Sequence, residues 1–132
     1  MKKVTAVLSV FLVSISVLYS TALAAPGLDY IGHYPMHYKP DAQVWKWSTS
    51  VAYSGGGDFR ICPSGASSAK EYVLWENDPG EDNDDHVGRV TLEPRECYTF
   101  RDIGRFVDGD NRKAEFYVTT RTASARSIAF LD

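Results

Sequence analysis

The pattern of apolar and polar positions along the chain predicts strands and no helix. Trp45, Trp47, Thr49, Val51 and Tyr53 alternate with Lys46, Ser48, Ser50 and Ala52, which sets a face of large residues opposite a small or polar one, as in a half-buried strand. Gly55-Gly56-Gly57-Asp58 turns the chain into Phe59-Arg60-Ile61-Cys62, and small residues from Pro63 to Ala69 form a second loop. Glu71 to Glu76 is apolar on both faces and reads as a central strand. His86 to Leu92 supplies the next, ended by Glu93-Pro94, and Cys97 to Phe100 a short one. Beyond a Gly- and Asp-rich stretch, Ala114, Phe116, Val118 and Thr120 alternate with Glu115, Tyr117, Thr119 and Arg121, and Ser127 to Leu131 forms the last strand. Ala25 to Pro40 holds three prolines without clear alternation and reads as an irregular lead-in. No stretch carries a helical period, so the expected fold is an all-β antiparallel sandwich of about seven to eight short strands. A small barrel is the second choice.

The first 24 residues stand apart. Lys2 and Lys3 precede an apolar run from Val4 to Leu18, and Ala22-Leu23-Ala24 places small residues where a signal peptidase cuts. The expectation is an export signal removed after Ala24, a secreted or periplasmic product with no integral span, and one domain over residues 25–132. Without Lys2 and Lys3 the domain carries 12 basic residues against 17 acids, a formal charge of −5. Nucleic acid is disfavoured, because phosphate-backbone affinity comes from clustered Lys and Arg. Outside the cell, Cys62 and Cys97 are expected to form one disulfide, closing a loop of about 36 residues.

The acids are unevenly placed. Positions 76 to 85 hold Glu76, Asp78, Glu81, Asp82, Asp84 and Asp85 with no base among them. Asp78-Pro79-Gly80 has the chemistry of a type II turn, so these carboxylates share a shaped loop between two strands. Two such charges about 6 Å apart repel by about 3 kcal/mol at an effective dielectric of 20. A bound cation reverses that penalty, and calcium suits it, being a hard ion that takes six to eight oxygens in flexible geometry. Spacing excludes an EF-hand, since neither Asp78 nor Asp82 as first ligand puts Gly sixth and Glu twelfth. Asp108-Gly109-Asp110-Asn111 forms a second acidic turn, which completes an oxygen shell if it lies beside the first.

Glu76-x-Asp78, an acidic loop, then Asp85-x-Val87-Gly88 entering a strand resembles the third calcium loop of the C2 family of calcium- and phospholipid-binding domains. The likeness is local, covering residues 71–92. It implies Glu76 and Asp78 as paired ligands and Asp85 as the closing one. Together with the second turn, the candidate metal set is Glu76, Asp78, Asp84, Asp85, Asp108 and Asp110, with an immunoglobulin-like sandwich as the alternative frame.

Other constellations are weaker. His33 and His37 flank a Pro-containing segment that cannot be helical, so they read as surface residues and not zinc ligands. Trp45 and Trp47 read as core, with a sugar-stacking platform as the rival, and Trp75 reads as core. No nucleophile elbow, phosphate loop or His-Glu-x-x-His is present, so a non-catalytic role is preferred over a hydrolase using two carboxylates. The expected function is a monomeric, secreted, calcium-binding recognition module whose acidic end contacts a protein or an anionic surface. The rivals are an inhibitor or toxin-like effector acting through Tyr30 to Tyr38, and a carbohydrate-binding module.

Overall fold

The computed structural model describes residues 28–80, 83–122 and 125–132; the expected export signal lies outside them, as do Glu81 and Asp82. Ten strands are described: β1 Tyr30–Pro35, β2 His37–Tyr38, β3 Trp47–Ser48, β4 Ala52–Ser54, β5 Phe59–Ser64, β6 Lys70–Glu76, β7 Asp85–Leu92, β8 Tyr98–Phe100, β9 Ala114–Thr120 and β10 Ser127–Leu131. They form two antiparallel sheets. The smaller runs β1-β10-β5-β8; the larger runs β2-β3-β9-β6-β7, with β4 also paired to β9. One core lies between them. Phe59, Ile61, Ile128 and Phe130 from the smaller sheet meet Tyr72, Leu74, Phe116 and Val118 from the larger, all buried. The Phe59 and Phe116 rings pack 4.8 Å apart across the interface. The all-β antiparallel expectation therefore stands, and no helix among the described residues is long and apolar enough to cross a membrane.

The segments from Phe59 onward follow the predicted alternation within a residue or two. The disulfide forms between Cys62 and Cys97 with a Cα separation of 4.3 Å, joining β5 to the chain just before its neighbour β8. Between β8 and β9 the chain makes one 3-10 turn, Ile103–Phe106, which buries Ile103 and Phe106 and leads to Asp108. Gly88 on β7 and Phe100 on β8 fit face to face, since a Cβ on Gly88 would lie 2.7 Å from the Phe100 ring.

Three expectations are corrected. The lead-in is not irregular after Leu28, because Tyr30–Pro35 pairs with β10 as an edge strand. Pro35 ends that strand, where a missing N–H costs no interior ladder bond. Secondly, the single strand from Trp45 to Tyr53 is split. The Thr49 hydroxyl accepts the Val118 N–H at 3.0 Å while the Thr49 N–H donates to the Val118 carbonyl. A side-chain oxygen thus stands in for a backbone carbonyl and the register slips by one, from Trp47↔Thr120 and Ser48↔Thr119 to Ala52↔Phe116. A slip of one residue exchanges the two faces. Trp47 still packs on the core, but beyond Thr49 the small residues Ala52 and Ser54 point inward and Tyr53 is 57% exposed.

Thirdly, neither Trp45 nor Trp75 belongs to the core. Trp75 pairs directly with Tyr117 of β9 and shares its face, opposite to that of Leu74 and Phe116. Its indole N–H donates to the Thr119 hydroxyl at 2.9 Å, and its ring meets His86 edge-on at 5.3 Å. Trp45 precedes β3. The Arg121 and Arg89 guanidinium groups lie 4.7 and 5.4 Å from its ring, and both also reach Glu71.

Candidate metal centre and its neighbouring groove

Glu76 is the last residue of β6, paired with Phe116 on the inward face, and only 2% exposed. A carboxylate ending an apolar strand between two sheets has lost most of its water, and one Oε accepts the Glu115 N–H at a long 3.4 Å. Burial pushes its pKa up to about 7, helped by the negative charges of Asp78, Asp108 and Glu115 and opposed by that hydrogen bond. Asp78 follows in the turn Asp78-Pro79-Gly80, where Gly80 takes the positive φ, +122°, that the turn requires. Asp108 arrives from the other side, in the segment after the 3-10 turn, where it forms an isolated bridge with Lys113. One oxygen each of Glu76, Asp78 and Asp108 lies within 4.8 Å of the others. Asp78 is also shifted upward, by loss of water and then by Asp108, Asp85 and Asp84.

The two acidic turns therefore meet, and of the six candidate ligands the structure brings three together. Asp84 lies outside that group. One of its oxygens accepts the Asp78 N–H at 3.2 Å and the other the Tyr117 hydroxyl at 2.5 Å. Burial and that second bond both hold the Tyr117 phenol above its usual pKa. Asp85 sits opposite Glu76 on β7, exposed and outside the three-carboxylate group. Asp110 lines a shallow depression of about 240 Å³ with Asp108 and Glu115, also outside the group. Glu115 and Tyr117 carry no signal of a site in the sequence. They lie on a strand whose alternation is legible, but nothing in the sequence says that β9 runs between β6 and β3.

On the outer face of the larger sheet, Trp45, Trp75 and Tyr117 line an open groove of about 480 Å³ together with Lys39, Ser48, Asp84 and Thr119. Asp84 thus borders the groove and braces the acidic turn.

A family model described as the YndA coiled coil domain matches residues 30–130. The chain belongs to this family. The uncharacterized protein YndA of Bacillus subtilis (strain 168) is 44% identical over 90 residues, which cover 67% of this chain and 68% of that protein. No solved structure matches the chain. The family's name speaks of a coiled coil, which needs helices with an apolar repeat of 3.5 residues. The described residues of the matched segment instead form two antiparallel sheets, in keeping with a period of two in the sequence.

Proposed function

We propose that the chain is an exported recognition module that binds calcium at the sheet end formed by Glu76, Asp78 and Asp108. The observation that carries this reading is the convergence of three carboxylates, one of them buried, from the end of β6, the turn after it and the approach to β9. Three unneutralised acids at such range repel strongly, and either protons or a cation must compensate them. Calcium fits because these carboxylates supply hard oxygen donors, with backbone carbonyls and water filling the remaining positions. Loading the site stiffens the acidic turn, which then presents a surface to a protein or an anionic partner. The local likeness of residues 71–92 to a C2 calcium loop supports Glu76 and Asp78 as ligands, with Asp108 in place of a fuller contribution from Asp85.

Thermal melting of the purified protein at neutral pH tests the reading. Calcium at 100 times its dissociation constant adds about 2.7 kcal/mol, a rise on the order of 10 °C for a domain of this size. Chelator should reverse the rise and Asp78→Asn with Asp108→Asn should remove it. No shift at millimolar calcium in the folded protein would overturn the assignment.

A further inference from the structure

The groove on the outer face of the larger sheet shares Asp84 with the acidic turn but has a lining and a chemistry of its own. Its floor follows from strand register. Trp75 and Tyr117 are direct cross-strand partners on that face, Thr119 lies two residues along β9, and Ser48 pairs with Thr119 from β3. This gives two large aromatic groups beside two hydroxyls. Trp45 closes one side and is held in place by the two arginines over its ring. Lys39 and Asp84 add one charge of each sign, so the lining carries no net charge. The volume, about 480 Å³, falls within the range of small-molecule sites, which are mostly apolar and aromatic with a few placed polar groups.

We infer that this groove binds a neutral carbohydrate, a run of pyranose rings lying along the sheet face. Alternatives fit less well. A phosphate or carboxylate ligand would approach Asp84 with Lys39 as the one cation among the described lining residues to receive it, because Arg89 and Arg121 nearby are committed to Glu71 and Trp45. A cationic ligand would meet Lys39. A purely apolar one would take water from the Lys39 ammonium and from the remaining lone pairs of the Asp84 carboxylate without replacing those hydrogen bonds, a cost of about 1–3 kcal/mol or more for each. A sugar ring answers both kinds of surface: its C–H face covers aromatic carbon, and its hydroxyls bond to acceptors and donors at the rim. Asp84 is pre-set for this, since the Tyr117 hydroxyl and Asp78 N–H fix the carboxylate while leaving lone pairs for a ligand hydroxyl. The recognition platform is thus Trp75 and Tyr117, not the Trp45 and Trp47 pair, because Trp47 faces the core.

Tryptophan emission tests the inference, with maltohexaose, cellohexaose and chitohexaose titrated separately into the purified protein, once with calcium and once with chelator. Saturable quenching by at least one of the three is expected. Trp75→Ala should weaken that binding at least about tenfold, or about 1.4 kcal/mol. Lys39→Ala, at an exposed position, should weaken it several-fold with the melting temperature unchanged. Absence of saturable quenching with all three sugars in both conditions would overturn the proposal. Undiminished binding by a folded Trp75→Ala protein would do the same. Sugar binding that persists in chelator while calcium gives no melting shift would sink the metal reading alone.

Discussion

The Asp84 carboxylate and the Tyr117 hydroxyl are joined by a 2.5 Å hydrogen bond that ties the acidic turn to the central strand of the larger sheet. The other Asp84 oxygen holds the backbone of Asp78. One side chain therefore braces a carboxylate-cluster residue and forms a wall of the aromatic groove. Replacing Tyr117 by Phe leaves a partly buried carboxylate without its strongest donor. The expected loss is about 1–3 kcal/mol of stability, read from the midpoint of urea unfolding; a loss below the error of that measurement would show that the bond is not formed in solution.

Protonation of Glu76 makes metal-free stability depend on pH with a definite sign. The folded pKa, about 7, lies above the ordinary 4.5 because burial favours the neutral acid. The resulting stabilisation is fully present below about pH 4.5 and is lost as pH rises through 7. The upward shift of Asp78 acts in the same direction. Glu76→Gln should flatten this decline, with the difference between variant and parent on the order of 1–3 kcal/mol at pH 8. Parallel stability-versus-pH curves for the two proteins would rule out a raised Glu76.

Gly88 is required by its neighbour and not by its backbone angle. An added Cβ would enter the Phe100 ring, which closes the sandwich between β7 and β8. Gly88→Ala should cost about 1–3 kcal/mol through overpacking. Combining it with Phe100→Leu, which frees space at the same point, should cost less than the two single changes added together, as expected for residues in contact. Additive costs would mean that the two do not touch.

The Cys62–Cys97 bridge joins positions separated by 35 in the sequence and closes a loop that includes all of β6 and β7. Chain-entropy reasoning gives about 4 kcal/mol for such a loop. Substituting Ser for both cysteines should lower the melting temperature by well over 10 °C. A fall of only a degree or two would locate the stability of the β5–β8 edge in packing alone.

Much of this architecture is written into local pattern. The strands from Phe59 onward are recognisable because their residues alternate with the period of a pleated sheet, and the turn at Asp78-Pro79-Gly80 because each residue has the backbone preference its position needs. Burial of Glu76 was not legible. A glutamate ending an apolar strand reads as a solvated end until the opposite sheet is known to cover it. Nor was the split after Thr49, since Thr49 looks like any β-branched strand residue until its hydroxyl meets the Val118 N–H.

By itself, then, the sequence determined what short-range physics controls: strand period, turn chemistry, net charge, the presence of just two cysteines to pair, and the crowding of acids between positions 76 and 85. Tertiary structure alone decided which distant groups share a space. It placed Asp108 with Glu76 and Asp78, turned Asp84 toward Tyr117, and set Trp75 outward beside Tyr117. The reason is register. Which residue lies opposite which is a property of strand order and of single-residue slips, and neither leaves a mark on the periodicity of any one strand.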